Sequence, residues 1–130
     1  MKRAILAVGV IFVLWSVLDF VIHGIVLSKA YEATAALWRP MDEIKMYPIY
    51  SSPFLLAVAF VLIYVLFIEG KRVGTGVKYG LLFGLGVGIA TGYGTYAVMP
   101  IPYNMAFTWF LGTVIESTLA GLMVGLVVKD

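Results

Sequence analysis

Two acids and the chain's one histidine fall inside its apolar runs. Asp19 and His23 stand four residues apart in LDFVIHG, so a helix presents both on one face, with Ser16 one turn away. Glu116 lies within the last apolar run, FLGTVIESTLAGLMVGLVV. An ionisable group in such a segment costs several kcal/mol and normally turns toward the protein interior. No lysine or arginine stands in the central part of these runs to balance the two acids. Either one or both carboxyls hold a proton at neutral pH, or a cation sits between them; a charged His23 is the one internal counter-ion. Three readings follow. Asp19 and His23 bond each other or nearby backbone while a protonated Glu116 bonds a hydroxyl such as Ser117 or Tyr93, as glue between helices. The three residues form a proton or cation pathway. They bind a metal through oxygen-rich ligation suited to manganese, iron or zinc.

Catalytic signatures are missing. The chain has no H-E-x-x-H, nucleophile elbow or P-loop, and its glycines do not follow a strand. One histidine and two carboxylates match no known ligand spacing, so no metal is assigned. A single histidine cannot supply two axial haem ligands within one chain. We expect no enzyme and no cofactor. Cysteine is absent, which removes disulfides and thiolate chemistry. The net charge of +2, with no basic run, gives no reason to expect nucleic acid as a partner.

The elements that carry these groups are set by composition. Hydrophobic residues make up 62% and charged residues 12% of the 130 positions, with a mean hydropathy of +1.03. Soluble domains carry about 25% charged residues, so the expected solvent is lipid. A membrane-crossing helix needs about 20 apolar residues. Four segments qualify, at about 4–27, 48–68, 77–98 and 103–128. The expected fold is a single all-α domain, a four-helix transmembrane bundle. Ser51-Ser52-Pro53 leaves two options for span two: a start there, or an earlier start with a kink. At 1.5 Å per residue, Asp19 lies about 5 Å past the midpoint of span one, and Glu116 lies near the middle of span four. MKR before an apolar run also suits a signal peptide. Ala4 to Leu27 is much longer than the h-region of about 7–15 residues, however, so an uncleaved span is expected.

Basic residues orient the bundle. Lys2, Arg3, Lys71, Arg72, Lys78 and Lys129 fall on one side, against Lys29, Arg39 and Lys45 on the other. The positive-inside rule then places both termini in the cytoplasm. The segment 28–48 is an extramembrane loop or short helix, helical from Ala30 to Trp38 and ended by Pro40. Tyr31, Trp38, Tyr47 and Tyr50, with Arg39 beside them, are expected at the membrane–water interface.

Span three carries the strongest pattern. Gly76, Gly80, Gly84, Gly88 and Gly92 recur every four residues, as do Thr113, Ser117, Gly121 and Gly125 in span four. Glycine weakens a helix by about 1 kcal/mol relative to alanine, so such a row needs a compensating role. In lipid that role is close backbone approach, a glycine zipper between spans three and four or between two copies of the chain. The short, two-proline link MPIPYN favours the first.

LDFVIHG, YEATAALWRP, KYGLLFGLGVG and the final FLGTVIESTLAGLMVGLVV together resemble an uncharacterised family of small four-span bacterial inner-membrane proteins. The resemblance covers most of the chain. It implies the four-span fold and a place in the cytoplasmic membrane, and supplies no substrate or catalytic residue. Beside the bilayer, the expected partners are a second copy or a larger membrane complex. Two functions remain open: proton, cation or small-solute transport through Asp19, His23 and Glu116, or a non-catalytic accessory role.

Overall fold

The computed structural model describes all 130 residues, which form helices and connecting turns with no strand. Four helices are long and apolar enough to cross a membrane: α1 (Lys2–Val26), α3 (Met46–Phe67), α4 (Val73–Val98) and α5 (Tyr103–Val127). A short helix, α2 (Ser28–Ala33), follows α1 directly. For span two the structure takes the earlier of the two expected starts. The helix begins at Met46, ahead of both Pro48 and the Ser51-Ser52 pair, so those serines cap nothing. Pro53 therefore lies inside it and leaves the Ile49 carbonyl without its helical donor. Helix α4 also starts earlier than expected, at Val73.

Helices α4 and α5 form the close-packed half. Gly76 meets the Gly121 carbonyl, and Gly80 meets the carbonyl of Ser117. A Cβ at Gly84 would stand 2.9 Å from Val114 Cα, and one at Gly92 would stand 2.7 Å from the Ala106 carbonyl oxygen. Gly125 packs on Val73 in the same seam. The row therefore serves an intramolecular hairpin, with backbone against backbone along the whole of α4. Gly86 and Gly94, off this row, face open space.

The other half is held by side chains. Ala7, Ile11 and Trp15 recur every four residues and form the buried face of α1; Ala57, Phe60, Val61 and Tyr64 do the same for α3. They meet Ala120 and Val124 of α5 in one core. Helix α3 reaches α4 mainly through rings: Phe60 lies 4.5 Å from Tyr79 and 5.0 Å from Phe83 between centroids. Buried hydroxyls are satisfied across this contact, Tyr79 donating to the Phe60 carbonyl at 2.7 Å. Both termini and the α3–α4 turn meet at one end. There Arg3 donates to the Lys129 carbonyl, and Lys71 and Asp130 exchange two backbone-mediated bonds.

At the opposite end, α2 and the following loop fold back on the bundle. Leu27, Ile101, Met105 and Ala106 form a second core, against which Leu37, Trp38 and Trp109 pack. The expected helix from Ala30 to Trp38 ends at Ala33 and gives way to a short 3-10 turn. Arg39 is exposed, as is Tyr47. The Tyr31 hydroxyl bonds His23 and accepts the Trp109 N–H at the site described next.

Candidate functional site

Asp19, His23 and Glu116 line one cavity of about 310 Å³. All four long helices contribute to it. Helix α1 supplies Trp15, Asp19, Ile22 and His23, and α5 supplies Trp109, Thr113, Glu116 and Ser117. Ser52, Pro53 and Leu56 come from α3, and Val87 and Thr91 from α4. The cavity occupies the half of the bundle nearer the α2 loop. The ring cluster of Trp15, Phe60, Tyr64, Tyr79 and Phe83 fills the half nearer the termini.

Two departures from α-helical geometry shape it. Phe20–Val26 in α1 and Ile89–Tyr93 in α4 are π-helical. The first holds His23 and the second Thr91, so each wide turn carries a cavity residue. Such turns inside α-helices are frequent at functional sites, where they re-aim side chains.

Glu116 is anchored through its own backbone: the Trp15 indole N–H donates to its carbonyl at 3.0 Å, pinning α1 to α5 at this level. Its carboxyl lies within hydrogen-bonding reach of the Asp19 carboxyl. Glu116 Oε1 is buried and accepts no N–H or O–H bond. Neither hydroxyl named as a partner for Glu116 bonds it. Ser117 is buried without bonding Glu116, and the Tyr93 hydroxyl pairs with Tyr103 instead, at 3.1 Å. The two acids line the same cavity.

His23 stands further out. Its Nε2 is 3.9 Å from Asp19 Oδ1, too far for a hydrogen bond. Its Nδ1 lies 2.6 Å from the Tyr31 hydroxyl, which accepts the Trp109 indole N–H at 3.0 Å. The Tyr31 proton has one acceptor in this chain, His23 Nδ1. With Tyr31 donating, the imidazole proton sits on Nε2; with Nδ1–H donating, the hydroxyl accepts from both rings. Trp38 braces the assembly, its ring 5.4 Å from Tyr31 and its N–H on Thr34 Oγ1 at 2.9 Å. His23 also borders an open groove of about 1040 Å³ walled by the α2 loop, so it separates that groove from the acid pair. The three residues do not converge as ligands of one ion would.

Burial raises the Tyr31 phenol above its ordinary pKa of about 10; the Trp109 bond opposes this and the charge of Asp19 adds to it. A phenol whose folded pKa is raised contributes stability that is complete below the unfolded value. That stability falls away as pH rises through the folded one. The tyrosinate absorbance titration of the wild type minus that of Tyr31→Phe should show one late phenol. Tyr31→Phe should also lose stability less steeply above pH about 10. A difference spectrum titrating at the ordinary value would mean that Tyr31 is not held as described.

Sequence reasoning gave Tyr31 only an interfacial role and passed over Trp15 and Trp109. A usable signal existed for the tryptophans: a Trp deep in an apolar run must find an acceptor for its N–H. Trp15 is one helical turn from Asp19 and Trp109 two turns from Glu116. Compared with family models, with curated proteins and with solved structures, the chain matches none.

Proposed function

We propose that this chain is a multi-pass protein of a bacterial cytoplasmic membrane, with both termini in the cytoplasm, that takes protons or small cations from the outer side into the Asp19–Glu116 pair. The observation that carries the reading is the meeting of these carboxyls in a cavity that no lysine or arginine lines. Two carboxyls this close share a proton, and a shared proton is one that the pair can take up and release. The outward surface supports a lipid setting, since Leu6, Val17, Phe20, Leu55 and Leu66 are all more than half exposed. Basic residues support the orientation, because Arg3, Lys71 and Lys129 gather at the terminal end.

His23, bonded to Tyr31 and standing between groove and acids, is placed to pass a proton from one to the other. The ring cluster closes the cavity toward the termini, so passage requires movement of the helices or a second copy. The π-helical turns in α1 and α4 are where such re-registering costs least.

Purified protein in liposomes under a pH gradient tests this directly. Asp19→Asn is expected to lower proton flux at least tenfold, by roughly 1.4 kcal/mol or more in the barrier. Wild-type flux in that variant, or none in the wild type above empty liposomes, would remove the pair from any transport role.

A further inference from the structure

The cavity has features that a bare proton or metal ion does not need. A hard metal ion takes about six to eight oxygen ligands at close range, and the side chains here do not converge in that way. The volume of about 310 Å³ has room for about ten water-sized groups. That is the lower range of small-molecule pockets. Much of the wall is apolar: Ile22, Leu56 and Val87 with two tryptophans. Both indole N–H groups are bonded to other protein acceptors, Trp15 to the Glu116 carbonyl and Trp109 to the Tyr31 hydroxyl. What the indoles leave for a ligand is their rings. The acidic groups form one patch, and one oxygen there, Glu116 Oε1, is buried with no donor.

We infer that the ligand of this cavity is a small organic ammonium ion with an apolar body. Its charged head meets the Asp19–Glu116 pair, and its body lies against Trp109, Leu56 and Val87. The head supplies the missing donors to the carboxyls, and an ammonium group is also attracted to indole faces within about 6 Å. This rests on reading the cavity as an uptake site and adds the class of molecule taken.

Benzylammonium and its neutral counterpart, benzyl alcohol, separate the head from the body. Titrated into the full chain in detergent and followed by calorimetry and indole fluorescence, benzylammonium should bind saturably. Benzyl alcohol should bind at least about tenfold more weakly. Asp19→Asn should cost a similar factor. Val87→Phe, which keeps both acids and fills the space, should do so too, with helicity checked by circular dichroism. Equal binding of the alcohol would overturn the inference, and so would unchanged binding in either correctly folded variant. Nanodiscs with and without phosphatidylethanolamine distinguish sources of the ammonium. Loss of benzylammonium binding in the former assigns the site to the lipid headgroup, and unchanged binding assigns it to a soluble amine. Proton flux with no benzylammonium binding removes the ligand class and leaves the proton reading. Saturable binding with no flux keeps the ligand and removes transport.

Discussion

Leucine at Gly80 is expected to destroy the bundle, whereas leucine at Gly86, six residues along the same helix, leaves it standing. A Cβ at Gly80 would fall on the Ser117 carbonyl oxygen and within 2.9 Å of Gly121 Cα. Both obstacles are backbone of α5, so no side-chain rotation relieves them. Overpacking that side chains can absorb costs about 1–3 kcal/mol. With the helices forced apart, contacts are also lost at Gly76 and Gly84, and the total should exceed about 3 kcal/mol. At Gly86 nothing stands within 4 Å. There the added side chain meets open space, and alanine should even stabilise the helix by up to about 1 kcal/mol. Thermal unfolding in detergent, followed by circular dichroism, compares the two. Equal stability of Gly80→Leu and Gly86→Leu would remove the α4–α5 seam as the main source of cohesion.

Glu116→Gln should make the protein more stable and less active at once. The wild-type carboxyl brings an unpaired buried oxygen to a second acid. Glutamine keeps the shape and offers Asp19 a fixed N–H donor at every pH, where the carboxyl offers one only while it is protonated. A gain of about 1 kcal/mol is the scale of one such bond between apolar helices. Proton flux should fall at least tenfold, because an amide does not exchange a proton in the way a carboxylic acid does. Opposite signs in the two measurements identify a residue kept for function at the expense of stability. Lower stability with normal flux would make Glu116 a packing residue and end the transport reading.

The contrast between these two positions reflects what sequence can carry. The four long helices were legible because about 20 apolar residues in a row have few other uses, and the glycine seam because small residues at a spacing of four mark one helix face. Asp19, His23 and Glu116 were legible as residues out of place in their surroundings. Their shared cavity was not, since it depends on how far α3 stands from α4. That distance is set by Phe60, Tyr79 and Phe83, whose rings pack edge-to-face and tilted between them. The π-helical turns were hidden too. They have no composition of their own, and the sequence around His23 is compatible with an ordinary α-helix. Tyr31 was placed by its type, as an interfacial aromatic. Its bonds to His23 and Trp109 depend on the fold-back of the α2 loop onto Ile101 and Met105, which its type does not announce.

The bundle's cohesion is unevenly spread, and this gives it a mechanical character. Helices α4 and α5 touch backbone to backbone along their length, while α3 leans on rings and on α1. The strands of chain at the terminal end are tied by Arg3, Lys71, Lys129 and Asp130. A stiff blade and a looser one, riveted at one end, make a pincer. The side that gives is the cavity wall built by Ser52, Pro53 and Leu56 of α3, while Trp15 holds α1 to α5 at the level of the acids.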